Sequence, residues 1–399
     1  MANQSSIVKA SLFTPGLNGR WGLPLIAWGE PGVAKSGMIR DIAHECGLGF
    51  NSTIASICEP ADLAGYPIPN EERTMVNALP PPWIHKVNAM SGAVQLFDEA
   101  TSCSNAAHAA LMRITLEGKA GDVDVNPRVR FMMAANPVDC AANAQELAIP
   151  LANRFGHLQW DPGDARAWVE WLLSGSEDNS PPVMSALARE KLVMEAWPEA
   201  FADAKGLVGA FISERGSVLH KMPLVDAGES SLAWPSRRTW EMATRAYAGG
   251  LVNGLTPAER HLFVTAFIGQ GPAGEFIEFV KNVDLPKALD VLAGKVKFTH
   301  APVRLDRTMA VLSSCAAYIL STHTEEGSPE HDQWLSHVDA YWALCLHVTE
   351  AKAAELIIPS AKMMVLKRWD TRLFAGNKSN AFAVMSRIEP LITKVIKVA

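Results

Sequence analysis

Basic residues are outnumbered in this chain: 36 Lys and Arg stand against 42 Asp and Glu, a formal net charge of −6 over 399 residues. That balance argues against a broadly basic surface of the kind that binds nucleic acid. Apolar runs of membrane-spanning length are missing too. The longest candidate, MAVLSSCAAYIL (Met309 to Leu320), falls short of the roughly 18 residues a span requires and reads as a buried helix. The opening MANQSSIVKASLFTPG has no apolar signal core, so export is not expected. Cysteine is sparse: Cys46, Cys58, Cys103, Cys140, Cys315 and Cys345 are scattered with no C-x-x-C pair, which suits free buried thiols in a reducing cytoplasm. Histidine offers no metal pattern. His331 and His337 in HDQWLSH are six apart and do not share a helix face, while His44, His85 and His108 stand alone and read as structural. No internal repeat or low-complexity tract is present.

What the chain does have is core material. At 48% hydrophobic and 20% charged it has the balance of a soluble globular protein, and its length implies two or three domains. Up to about residue 160, strand-like and helix-like runs alternate, as in an α/β domain with a parallel sheet. LPLIAW, FNSTIASI, AVQLFDEA, VRFMMAANP and HLQW read as strands. KSGMIRDIAHEC and SNAAHAALMRITLEG read as helices, the first with Met38, Ile39, Ile42 and Ala43 at helical spacing. The segment Glu59 to Pro82 holds six prolines and cannot be one regular element. After Asp161 the strand pattern stops and helical periodicity takes over, broken by turns such as SEDNSPP, VDAGESS and EEGSPEHD. From Ala361 to Ala399 eight Lys/Arg face only Asp370 and Glu389, which reads as a solvated helix face before it reads as a nucleic-acid contact.

Between the strand LPLIAW and the helix that follows lies GEPGVAKS, Gly29 to Ser36. It has the outline of the phosphate-binding loop G-x-x-x-x-G-K-[ST], with Gly29, Glu30, Pro31, Gly32 and Val33 in the turn and Ala34 where the second glycine belongs. In such a loop, backbone N–H groups and the helix N-terminus hold the anion, Lys35 reaches the β- and γ-phosphates of a nucleotide such as ATP, and Ser36 ligates Mg²⁺. The competing reading is a chance Gly/Pro turn with a surface lysine. About sixty residues on, VQLFDEA ends a buried strand in Asp98-Glu99. Asp98 would then hold Mg²⁺ and Glu99 would polarise the attacking water; taken alone, an acidic pair also caps a helix. The next strand ends AANP, so Asn136 reaches the same sheet edge, either as a γ-phosphate or water ligand or as a turn former before Pro137. LANRFGH presents Arg154 just before the last strand, where an ordinary surface ion pair is the plain alternative.

The order GEPGVAKS, LFDEA, AANP, LANRFG and a distant WPSRRTWEMA resembles that of AAA+ ATPases, closest to the MoxR branch and its chelatase-like relatives, over roughly Ile7 to Leu292. The resemblance implies an α/β P-loop nucleotide domain with a parallel sheet over residues 1–161, a helical lid over 162–295 and a C-terminal helical region of unknown role over 296–399. It makes Asn136 sensor 1 and Arg154 the finger that reaches a neighbouring subunit's nucleotide. Arg238 matches sensor 2 best, with Arg237 as the alternative. EPADLAGY and the prolines around it resemble the family's insertion after the second strand, and EGKAGDVDVNP the hairpin before sensor 1. Members of the RavA type carry Ala before Lys-Ser, so Ala34 lies within the family's range. Lys35 and Ser36 open the helix, and Ala34 is expected at an ordinary negative φ just ahead of it. The family further implies ATP and Mg²⁺ as cofactors, a ring, most commonly a hexamer, a protein client, and a von Willebrand factor A-type partner. A nucleotide-gated module with negligible turnover and a nucleic-acid-acting motor are the other readings; Glu99 and Arg154 weigh against the first and the net charge against the second. The choice between ATP and GTP is open at this level.

Overall fold

The computed structural model describes residues 2–140, 144–161, 163, 165–174, 184–224, 229–325, 327–366 and 380–396. The strands are β1 (Leu25–Trp28), β2 (Gly49–Ile54), β3 (Tyr66–Pro69), β4 (Val76–Leu79), β5 (Ala93–Asp98), β6 (Lys119–Ala120), β7 (Val123–Asp124), β8 (Val129–Ala135) and β9 (Gly156–Gln159). The first helices are α1 (Ala2–Leu12), α2 (Lys35–Glu45), α3 (Pro60–Ala64), α4 (Pro82–Asn88), α5 (Asn105–Glu117), α6 (Ile149–Ala152), α7 (Ala165–Ser174) and α8 (Ala186–Glu214). There follow α9 (Arg237–Val252), α10 (Pro257–Ile268), α11 (Gln270–Val283), α12 (Ala288–Leu292), α13 (Leu305–Ser321), α14 (His331–Glu350), α15 (Ile358–Leu366) and α16 (Asn380–Ile396).

Five strands form one parallel sheet in the order β2-β5-β8-β1-β9. Every residue of β1 and β8 is buried, as expected of central strands covered on both faces. On the edge strand β2 exposed and half-buried residues mix instead. Because all five strands run the same way, their C-terminal ends share one edge, and that edge receives the loop Gly29–Ala34, the pair Asp98-Glu99 and Asn136. The opposite edge receives the segments that enter the strands, Arg154 among them.

The proline-rich segment folds as a short helix and an exposed antiparallel hairpin, β3–β4, paired from Tyr66–Leu79 to Pro69–Val76. Pro67 and Pro69 have no N–H to offer along β3. A second small hairpin, β6–β7, forms where EGKAGDVDVNP suggests one. The two are stitched together: Asp122 takes the N–H of Ala78 on its carboxylate at 2.6 Å and returns its own N–H to the Ala78 carbonyl at 3.0 Å.

The chain divides into two compact units, Met1–Glu195 with Leu219–Gly274, and Ala196–Val218 with Glu275–Ala399. This division does not follow boundaries at 161 and 295. The reason is apolar packing: α9 and α10 belong with the sheet, where α10 lies on β9 so closely that a side chain on Gly156 would strike the Phe267 ring. Both helices start on capping boxes, Ser236 with Thr239 and Thr256 with Glu259. In the same unit Glu190 is buried and pairs with Arg128 and Arg130; Arg130 also bonds the Leu12 carbonyl at 3.0 Å, tying α8 and α1 to the start of β8. The second unit is helical, with a core of Trp334, Tyr341, Trp342, Cys315 and Cys345. Its Tyr341 hydroxyl donates to Ser360 at 2.8 Å.

All six cysteines are free; four are buried, Cys58 is half-buried and Cys140 is exposed. No described helix is long and apolar enough to cross a membrane. The basic side chains from Lys367 to Lys378 and Lys397 lie outside the described residues.

Candidate nucleotide site

The loop after β1 turns through Gly32 at φ 84° and Ala34 at φ 59°, ψ 26° before α2 begins. The negative φ expected for Ala34 is therefore wrong. The chain must reverse between the end of β1 and the first turn of α2, and the N-cap takes the left-handed conformation to do so. The glycine usual at this position serves that angle. Ala34 still starts the helix, its carbonyl accepting the Met38 N–H at 3.0 Å.

Lys35 is folded back over its own loop. Its Nζ donates to the Gly29 carbonyl at 2.8 Å, to the Glu30 carbonyl at 2.9 Å and to Asn136 Oδ1 at 2.9 Å. Burial pulls its pKa down, against the opposing pull of the Asp98 carboxylate. Ser36 Oγ donates to Asp98 Oδ2, and the other oxygen of Asp98 accepts the Glu99 N–H at 2.8 Å. The strand carrying Asn136, β8, lies between the loop strand β1 and the acidic strand β5, which places the amide between Lys35 and Asp98. Thr101 fixes that turn by donating to the Asn136 carbonyl at 3.0 Å. Lys35, Ser36, Asp98 and Asn136 thus meet at one point of the sheet edge.

Glu99 is also at this edge, with φ 55°, and its carboxylate accepts a hydrogen bond from Ser56. Ser56 escaped the sequence reading. It lies in the turn after β2, and it meets Glu99 because Ile54 and Asp98 are in register between β2 and β5.

Arg154 and Arg238 are not at this edge. Both line a small cavity of about 80 Å³ at the opposite end of β1, with Arg20 and the segment Trp21–Pro24. No described carboxylate lines it. Arg154 is half-buried, donates to the Pro150 carbonyl and leaves a buried Nε without a partner. Burial, and then the like charge of Arg238, pull its pKa down. The turn before Arg154 is bonded to the helix that carries Arg238: Ser236 Oγ donates to the buried Asn153 Oδ1 at 2.8 Å. Neither residue was singled out in the sequence, although Asn153 adjoins Arg154 and Ser236 lies two residues before Arg238.

The two edges are joined through β1 and β9. Trp28, the last residue of β1, donates from Nε1 to Nδ1 of His157 at 2.9 Å, and the two rings stack. His157 Nε2 donates in turn to the Ala152 carbonyl at 3.0 Å, two residues before Arg154. Burial pushes this imidazole down to about 4, partly offset by the Ala152 bond, so it is neutral at physiological pH.

The residues fit the groups the motifs imply. An oxygen-only pair, the Ser36 hydroxyl and the Asp98 carboxylate, suits Mg²⁺, which takes few protein ligands and completes its shell with water and phosphate. Among the described residues no cluster of three or more His, Cys, Asp or Glu could form an all-protein metal cage.

This geometry is that of an α/β domain with a five-stranded parallel sheet and a P-loop-like turn at the C-terminal ends of its strands, followed by helices. No family model matches the chain, and no curated protein matches it. Among solved structures it is similar to a protein of Cytophaga hutchinsonii described as a "putative ATPase", at 17% identity and a TM-score of 0.47, over 72% of this chain and 90% of that one.

Proposed function

We propose that this chain is a MoxR-like AAA+ ATPase that hydrolyses ATP with Mg²⁺ at the interfaces of a ring, most simply a hexamer, to remodel or activate a protein client. The observation that carries this reading is a division of labour between the two sheet edges. Lys35, Ser36, Asp98, Glu99 and Asn136 stand at one, and the paired Arg154 and Arg238 at the other. Among the described residues no carboxylate lines the cavity that Arg154 and Arg238 share, and the phosphates of a neighbouring subunit's nucleotide would supply a counter-charge there.

In this reading ATP draws Lys35 off the Gly29 and Glu30 carbonyls and onto its phosphates. Ser36 and Asp98 would hold Mg²⁺, which would supply positive charge to neutralise the phosphate oxygens. Glu99 leaves Ser56 and orients the attacking water; Asn136, already beside Lys35, senses the terminal phosphate. Arg154 acts from the next subunit, with Arg238 beside it as sensor 2. In this reading the stitched hairpins β3–β4 and β6–β7 would meet a client, and a von Willebrand factor A-type partner fits the same branch of the family.

Three variants test this. Lys35→Ala loses ATP affinity. Glu99→Gln keeps it but stops hydrolysis, because phosphate contacts survive while the water loses its polarising carboxylate. Arg154→Ala lowers the rate by about 10³–10⁵, roughly 4–7 kcal/mol of barrier, with affinity much less affected. Mixing Arg154→Ala with Glu99→Gln subunits restores part of the activity at interfaces built from two intact halves. Wild-type hydrolysis in Glu99→Gln, or no rescue despite proven mixing, contradicts the assignment. A second reading, a nucleotide-gated module with negligible turnover, draws on the Ser56–Glu99 hydrogen bond, which occupies the catalytic carboxylate. Steady-state phosphate release separates the two.

A further inference from the structure

The sheet unit holds a second cavity, of about 370 Å³, where the C-terminal ends of α2 and α9 meet the first turns of α8. It shares no lining residue with the arginine cavity or with the loop after β1. Its size is that of a small-molecule pocket, which runs from about 300 to 1,000 Å³. Leu192, Val193 and Val252 give it apolar walls. Cys46 adds to them, because burial pushes its thiol up and keeps it uncharged at neutral pH.

Arg189 supplies a cation to this apolar setting. It lies in the first turn of α8, lines the cavity and is half-buried, with its guanidinium 4.5 Å from the centre of the Phe13 ring. The Cys46 thiol feels that charge, which pulls its pKa back against burial. Among the described residues Arg189 makes no ion pair, and its side-chain hydrogen bond, to Asn253 Oδ1, is long at 3.5 Å. The carboxylates around it are committed elsewhere. Glu45, which also lines the cavity, pairs with Lys9, and Glu190 pairs with Arg128 and Arg130. No guanidinium nitrogen of Arg189 is both buried and unpartnered, so its unused N–H groups remain accessible.

We infer that this cavity binds a small organic acid, which sets its carboxylate on Arg189 and its apolar body along Leu192, Val193 and Val252. The site is independent of the nucleotide reading. A guanidinium lying over an aromatic ring is held ready for an anion, and its fork of N–H donors matches the two oxygens of a carboxylate. One guanidinium balances one negative charge. A phosphate dianion would meet the Glu45 carboxylate with a charge to spare, which disfavours it. The apolar walls add affinity in proportion to the chain they cover.

Calorimetric titration of the full chain with octanoate, hexanoate and octanamide tests this. Octanoate should saturate at one molecule per chain. Hexanoate, two methylenes shorter, should bind about ten-fold more weakly, since each buried methylene is worth about four-fold. Octanamide keeps the length but not the charge, and should bind at least about ten-fold more weakly than octanoate. These ligand comparisons use wild type and do not depend on any variant folding. Arg189→Gln should weaken octanoate at least about ten-fold. Leu192→Asp, at an exposed wall position, should weaken it through like charge while leaving the melting temperature near that of wild type. Three results would each overturn the inference: no octanoate binding, equal binding of octanamide, or unchanged octanoate binding in Arg189→Gln. None of them bears on nucleotide binding that depends on Lys35.

Discussion

Ala34 shows how one backbone angle escapes a motif. Its φ of 59° is a conformation that strains an L-residue by about 1–2 kcal/mol, whereas glycine adopts it freely. Strain held in the folded backbone counts against folding, so its relief adds to folding stability. Ala34→Gly also gives the unfolded chain more freedom to lose, about 0.5–1 kcal/mol, so the net gain is smaller than the strain. We expect Ala34→Gly to raise the free energy of unfolding by about 0.5–1 kcal/mol in a urea titration. A loss of stability would mean that the loop does not hold Ala34 in the left-handed region in solution. Lys35, Ser36, Asp98 and Asn136 were legible because each is a distinctive side chain at a fixed place after a buried strand, and they meet in the fold. The φ of Ala34 was not, because the reversal of the whole turn sets it and alanine fits most backbone settings. Ser56 was not legible either, since its meeting with Glu99 depends on the register of β2 against β5 and not on spacing within any motif.

Helix α9 has two roles that meet at its N-cap. Its N-cap, Ser236, accepts the Thr239 N–H at 3.2 Å and donates to Asn153 at 2.8 Å, so the cap that starts the helix also fixes the turn before Arg154. Ser236→Ala should cost about 1 kcal/mol as a lost cap. It also frees the two motif arginines from their shared anchor, so phosphate release should fall several-fold with ATP affinity unchanged, and Ser236→Thr should recover both. Lost stability with undiminished hydrolysis would show that the cap holds the helix but does not place the arginines. The sequence displayed α9 and α10 as helices by their periodicity. It did not display their partner, because an apolar stripe says that a face is buried and not what buries it. Hence the boundary placed at 161, where the strands stop, does not coincide with the edge of the unit that packs around the sheet.

The two compact units carry titratable groups, His157 buried and Asp203 half-buried, shifted in ways that drive stability in opposite directions with pH. In the sheet unit, His157 is held neutral with its pKa pushed down to about 4 by burial. The unfolded imidazole takes a proton near 6.5, so the stability that His157 confers is complete above that pH. It is lost as pH falls toward 4, by roughly 3 kcal/mol in all. In the helical unit, Asp203 is pushed up to about 6 by burial, against the N–H it accepts from Ala288 at 3.2 Å. The unfolded carboxyl releases its proton near 3.9. Its contribution is therefore complete below that pH and is lost as pH rises through 6, again by roughly 3 kcal/mol. Calorimetry between pH 4 and 7 should resolve two transitions that move in opposite directions, that of the sheet unit rising with pH and that of the helical unit falling. His157→Gln keeps an acceptor for Trp28 and a donor for Ala152, and should flatten only the first slope; Asp203→Asn should flatten only the second. A single transition rising with pH, unchanged by Asp203→Asn, would show that the Asp203 carboxyl is hydrated in solution and leaves the helical unit's stability insensitive to its charge.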